Sequence, residues 1–141
     1  SGMSEEECRI LIDAYWKKNW AVKKVADSCK YKVIDSQMWL HNPVSGFWYS
    51  LRYKKDIFST LNQGTGVFCF DTWVRECRNS GVRMCGQFHD EIIAPCFDAP
   101  FDKDVMRNKL KDSIHKVNAL LQLNRDLDID VQFGKNYGEI H

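Results

Sequence analysis

The chain reads as an α+β protein, with an antiparallel sheet backed by long helices, and three observations predict it. Apolar residues recur at near-helical spacing over three stretches, about Ser4 to Cys29, Lys54 to Arg78 and Asp102 to Leu121. Between and after them lie short runs rich in β-compatible residues and bounded by turn formers. The 141 residues, 44% of them hydrophobic, suffice for one core, so a single unit is expected, without repeats, low-complexity tracts or long linkers.

Ser4 followed by Glu7 has the spacing of a capping box, so a helix is predicted from there to about Cys29, with Leu11, Tyr15, Val22 and Val25 on its inner side. Short strands flank the turn Asn42-Pro43-Val44-Ser45-Gly46. The second helix, about Lys54 to Arg78, carries Ile57, Leu61, Phe68 and Trp73 and ends at Asn79-Ser80-Gly81. It contains Gly64 and Gly66, each costing about 1 kcal/mol relative to Ala inside a helix. If the helix runs through them, their missing side chains let a sheet or ligand approach the backbone; otherwise Gly64-Thr65-Gly66 opens a loop. Val82 to Phe88 and Ile92 to Cys96 read as the arms of a hairpin. Asp102 is placed to cap a helix bearing Met106, Leu110, Ile114, Val117 and Leu121, and Asp128 to Phe133 alternates like a strand.

A net charge of +1 carries no global signature of nucleic-acid binding, so any DNA contact must come from local placement. Residues 1–60 hold ten Lys and Arg against seven Asp and Glu, and residues 61–141 ten against twelve, so the basic bias lies in the first half. Six cysteines without a C-x-x-C pair or zinc-like spacing read as reduced, mostly buried thiols. No apolar run is long enough to span a bilayer and no signal peptide is visible, so a soluble cytoplasmic protein without membrane partners is expected.

The chemistry concentrates at Gln87-Phe88-His89-Asp90-Glu91-Ile92, where two adjacent carboxylates fall at the tip of the predicted hairpin. A tight reversal fixes the backbone around Asp90 and lifts its side chain off the sheet, a geometry suited to a hard divalent cation. Taken alone, the hexapeptide fits a solvated acidic turn better than a metal site. On the second predicted helix, Lys55, Ser59 and Gln63 stand at i, i+4 and i+8 and form one polar stripe if it is unbroken. The Gln63 amide offers both donor and acceptor, which suits minor-groove acceptors without demanding a particular base pair.

Ser59-Thr60-Leu61-Asn62-Gln63-Gly64-Thr65-Gly66 followed by Phe88-His89-Asp90-Glu91-Ile92 resembles, in order and spacing, the family A DNA polymerases, in which a Gln-Gly-Thr helix precedes a His-Asp-Glu hairpin. Glu5 to Lys24 is similar to the segment closing the fingers, and Trp39 to Arg52 to the β-ribbon between fingers and palm, in a form most like phage enzymes. Asp128 to Tyr137, ending at His141, resembles the last strand and carboxy-terminal tail. The resemblance implies a fingers-derived portion over residues 1–52 and a palm portion over 53–141, the palm sheet carrying the metal-site hairpin. It implies that Asp90 binds metal and Glu91 supports it, the two forming this chain's catalytic and metal-binding share of a two-Mg²⁺ site for nucleotidyl transfer. His89 would lie beside the primer terminus, and Gln63, Ser59, Lys55 and Arg52 would contact DNA. The implied partners are primer-template DNA and deoxynucleoside triphosphates, in a bacterial or phage-infected cell.

The pattern is incomplete. The family's other metal-binding aspartate, in an Asp-Tyr-Ser-like motif, has no counterpart, nor does the fingers helix that holds the incoming nucleotide; Lys135-Asn136-Tyr137-Gly138 stands at the wrong end of the chain. Lys55 and Ser59 stand where many members have Arg and Asn. The chain alone is therefore expected not to polymerise DNA. Either Met3 is a start codon behind a Ser1-Gly2 tag remnant, making this one subunit of a split polymerase with a second chain supplying the missing motifs, or the sequence is a piece of a longer parent. The alternative function is a non-catalytic DNA-binding or interaction module.

Overall fold

The structure, a computed structural model, describes residues 2–140, so Ser1 and the terminal His141 of the tail lie outside the described residues. The α+β class is observed: helices α1 (Glu5–Lys18) and α2 (Trp20–Ser28), strands β1 (Tyr31–Ile34), β2 (Gln37–His41) and β3 (Trp48–Leu51), helix α3 (Ile57–Asn79), strands β4 (Gly86–Phe88) and β5 (Glu91–Ile93), and helix α4 (Pro100–Leu121). Packing groups these into two compact units, one up to Thr65 and one from Gly66, with the boundary inside α3.

In the first unit, Ser4 caps α1 as expected: its hydroxyl accepts from the Glu7 amide at 3.3 Å and the Glu7 carboxylate accepts from the Ser4 amide at 2.8 Å. The predicted single helix to Cys29 is instead broken at Asn19. The Asn19 backbone N–H makes the ordinary helical bond to the Tyr15 carbonyl at 2.9 Å, its side-chain Nδ2 donates to the same carbonyl at 2.9 Å, and its backbone leaves the helical region at φ −104, ψ 40, which ends α1. The expected inner face is also corrected: Leu11, Tyr15 and Val25 are exposed, Leu11 at 56%, only Val22 is half-buried, and neither helix contributes a buried residue.

The core of this unit is Leu40, Leu51 and Ile57, with Met38, Tyr49 and Leu61 packed against them. It lies under one face of an antiparallel sheet of order β1-β2-β3, registered by Tyr31↔Leu40, Leu40↔Tyr49 and Met38↔Leu51. The β2–β3 turn is locked by Asn42, fully buried, whose Oδ1 accepts from the Val44 amide at 2.9 Å, and Gly46 takes φ 73. After a 3-10 turn at Lys54–Asp56, α3 runs unbroken through Gly64-Thr65-Gly66 for 23 residues, excluding the loop alternative.

In the second unit, Trp73, Val74 and Cys77 of α3, Val82, and Leu110, Ile114 and Val117 of α4 form one core. Its polar members are paired: the indole N–H of Trp73 donates to the Leu110 carbonyl at 3.4 Å, and buried Ser113 donates to the Lys109 carbonyl at 2.7 Å. Helix α4 has the predicted apolar stripe but not the predicted cap: Ala99 is its N-cap, Pro100 opens it, and Asp102 sits inside the first turn. Gly81, at φ 79, follows the end of α3 as expected.

The strand predicted over Asp128 to Phe133 does not form. Leu127, Ile129 and Val131 do turn toward the core, so the alternation is real, yet the segment joins no ladder among the described residues. Side chains of α4 hold its start: Asn118 both donates to the carbonyl of the preceding Leu127 and accepts from its amide at 2.8 Å, and Lys111 Nζ donates to the Ile129 carbonyl. The expectation of mostly buried cysteines is also corrected, since only Cys69 and Cys77 are buried; all six thiols are free. Burial pushes the Cys77 thiol up to about 11. Among the described residues no helix is long and apolar enough to cross a membrane.

Candidate functional site

The hairpin forms with a tighter turn and shorter arms than the expected Val82 to Phe88 and Ile92 to Cys96, since only Gly86–Phe88 and Glu91–Ile93 are strand. Register Gln87↔Ile92 and Phe88↔Glu91 leaves only His89 and Asp90 to turn, so Glu91 belongs to the first pair of the ladder rather than to the loop. A two-residue hairpin loop needs at least one residue at positive φ; with no glycine available, His89 supplies it at φ 46. His89 and Asp90 are exposed, so the Asp90 carboxylate stands free of the sheet, while Glu91 is half-buried.

Glu91 is held from the far end of the chain. The Tyr137 hydroxyl donates to Glu91 Oε1 at 3.2 Å, and the Tyr137 ring lies 5.9 Å from that of Phe88 across a 45° tilt. Partial desolvation, then the Glu91 charge and this hydrogen bond, push the Tyr137 phenol above its usual value. A knot presents the ring: Glu139 accepts from the Lys135 amide at 2.8 Å and from Asn136 Nδ2 at 2.9 Å. Gly134 makes that knot possible, since a Cβ there would meet Glu139 and Ile140 at 2.8 and 2.9 Å. An open groove of about 1170 Å³ is lined by Asp90, Glu91, Ile92 and Phe70 together with the tail residues Gly134 to Tyr137. Neither the Tyr137 contact nor the knot was readable from spacing, because 46 residues separate Glu91 from its partner.

As a cation site, Asp90 and Glu91 offer hard oxygen donors of the right chemistry. They are two, and among the described residues no group of three or more His, Cys, Asp or Glu side chains converges anywhere. Ligands from outside the described residues would have to complete a two-metal arrangement.

In the first unit, Arg52, Lys55, Ser59 and Gln63 are all exposed, but the regular stripe is shorter than predicted. Lys55 falls in the 3-10 turn before α3, with its ammonium 5.3 Å from the Tyr53 ring, so only Ser59 and Gln63 share a face of the α-helix proper. Ser59 donates to the Asp56 carbonyl at 3.1 Å. Behind Gln63 the helix is anchored to the β-ribbon: a Cβ on Gly64 would come within 2.7 Å of the Tyr49 ring, and Asn42 Nδ2 donates to Thr65 Oγ1 at 3.0 Å. The glycine argument thus holds for Gly64 alone, as Gly66 faces open space. Tyr49 and Asn42 were missed as supports of the Gln63 helix; the only signal in the sequence was a glycine that needed a neighbour. Arg52 follows β3, and Gln63 and Asp90 belong to different units.

Protein-family models, curated proteins and solved structures give no match to this chain.

Proposed function

We propose that this chain is the carboxy-terminal part of a DNA-directed DNA polymerase of the family A type, contributing a primer-template contact helix and one half of a two-metal nucleotidyl-transfer site. The observation that carries the reading is Asp90 at the free apex of a two-residue hairpin turn, beside a Glu91 fixed by Tyr137. A solvated turn needs no such fixation of its second carboxylate. The continuous α3, with Gln63 exposed on a helix anchored by Tyr49 and Asn42, supports the DNA-contact half of the reading.

The metal pair, when bound, stabilises the attacking 3′-oxygen and the leaving oxygen of an in-line displacement at the α-phosphate. The chain's own part is positional. Asp90 supplies the exposed oxygens, Glu91 keeps a second negative charge at fixed geometry, and His89 lies next to them on the turn. The missing carboxylate and the nucleotide-holding helix come from a second polymerase chain or from the remainder of a longer one.

Mn²⁺ as a paramagnetic probe tests the metal half. Amides 89–91 are expected to broaden at lower Mn²⁺ concentration than those around other exposed carboxylates such as Asp13 and Asp126, and Asp90→Ala is expected to remove that preference. A hairpin that broadens no earlier than Asp13 overturns the assignment.

A further inference from the structure

The sheet of the first unit has one face on the core and one toward solvent, and the outer face has a composition of its own. Leu40, Leu51 and Tyr49 point inward, so the alternate positions, continued one residue past each strand, place Lys30, Lys32, Trp39, His41, Trp48 and Arg52 on the other side. Contacts among these side chains bear this out: Lys32 Nζ stands 4.0 Å over the Trp48 ring, and the His41 ring lies 4.8 Å from it. The remaining positions of that face, Ile34, Gln37 and Ser50, are uncharged, and Asp35 stands beyond them in the β1–β2 turn. Trp48 lies on the edge strand β3 and is 43% exposed.

We propose that this outer face binds single-stranded DNA, with bases stacking on Trp48 and the backbone tracked by Lys30, Lys32 and Arg52. Cationic side chains interleaved with aromatics, and without interleaved acids, complement a strand that presents alternating phosphates and ring faces. A duplex hides its ring faces and could use only the charges. The cation over Trp48 does not block the site. At an exposed position a lysine–ring contact is weaker than a base–ring stack, so an arriving base displaces Lys32, whose ammonium is then free for a phosphate. Trp39 and His41, half-buried beside Trp48, extend the platform along β2.

The test is fluorescence anisotropy of the whole chain with a labelled oligothymidylate of about 16 nucleotides, across a salt series, without metal or nucleotides so that the hairpin does not enter the readout. Binding is expected to weaken with salt. Trp48→Ala should weaken it about tenfold at fixed salt while leaving the salt slope unchanged. Lys30→Gln and Lys32→Gln should each flatten the slope by about 0.7. Trp48 is exposed at a sheet edge, so circular dichroism should show the variant folded. No binding at low salt, or binding that Trp48→Ala leaves intact and heparin abolishes as a generic polyanion would, overturns the proposal. Failure of the chain to extend a primer even when supplied with a polymerase fragment carrying the missing aspartate and fingers helix would overturn the polymerase reading and leave this one standing.

Discussion

His89 shows how much of the site depends on single backbone positions. A non-glycine residue at φ 46 is tolerated best when it is Asn, Asp or His, and worst when it is β-branched. His89→Gly is therefore expected to leave stability unchanged or slightly raised, and His89→Val to lower it by about 1–2 kcal/mol, both measured by urea unfolding. The two helical glycines offer a sharper contrast. Gly66→Ala meets open space and should stabilise by about 1 kcal/mol. Gly64→Ala has the same gain in helix propensity but drives a methyl into the Tyr49 ring, so it should fall below Gly66→Ala by at least about 1 kcal/mol. Equal values would mean that the Tyr49 ring swings away freely and anchors nothing.

Among the elements, the legible ones were those whose signal is local. The Ser4 capping box, the apolar stripe of α4, the Asn42–Gly46 turn and the His89-Asp90 reversal all depend on residues within a few positions of each other. What failed depended on partners far along the chain. The strand predicted over Asp128 to Phe133 has the right alternation, but alternation reports which side chains face inward; α4 holds the segment at Leu127 and at the Ile129 carbonyl, and no strand pairs with it among the described residues. The first helix differs in another way: its apolar residues keep helical spacing without facing a core, and neither α1 nor α2 buries a residue. Without buried contacts those helices should open early, so amides of residues 5–28 are expected to exchange with deuterium well before those of residues 69–77 in α3. Equal protection would contradict the exposure of that face.

Two exposed carboxylates of the second unit contribute to its acid response. Hydrogen bonding to Lys111 holds Asp128 below the usual carboxylate range, and Lys103 does the same for Asp98. A carboxyl lowered in the folded state contributes stability that is present above its unfolded value, about 3.9, and is lost as pH falls through the lower folded value. Both pairs are exposed, so each effect should be small. Lys111→Met should weaken the pH dependence of stability below about pH 4, read from thermal melts; an unchanged acid limb would show that the Asp128 pair contributes nothing.

On the scale of the whole molecule, two halves of a polymerase-like signature fall in two compact units, the Gln63 helix in one and the Asp90 hairpin in the other. The sequence pattern placed Gln63 on a helix and Asp90 at a hairpin turn, and both elements form; under the proposed function the second aspartate and the nucleotide-holding helix have no counterpart in this sequence. What spacing could not reveal is how each half is braced: Asn42 and Tyr49 behind Gln63, and Tyr137 on Glu91. The most direct test is Mg²⁺-dependent primer extension by the purified chain alone, and by the chain supplied with a polymerase fragment carrying the missing aspartate and fingers helix. No extension is expected alone, and extension is expected from the pair. Asp90→Ala should lower the pair's turnover by at least about a hundredfold with primer-template binding largely retained. Extension by the chain alone, or a pair whose turnover survives Asp90→Ala, would contradict the account.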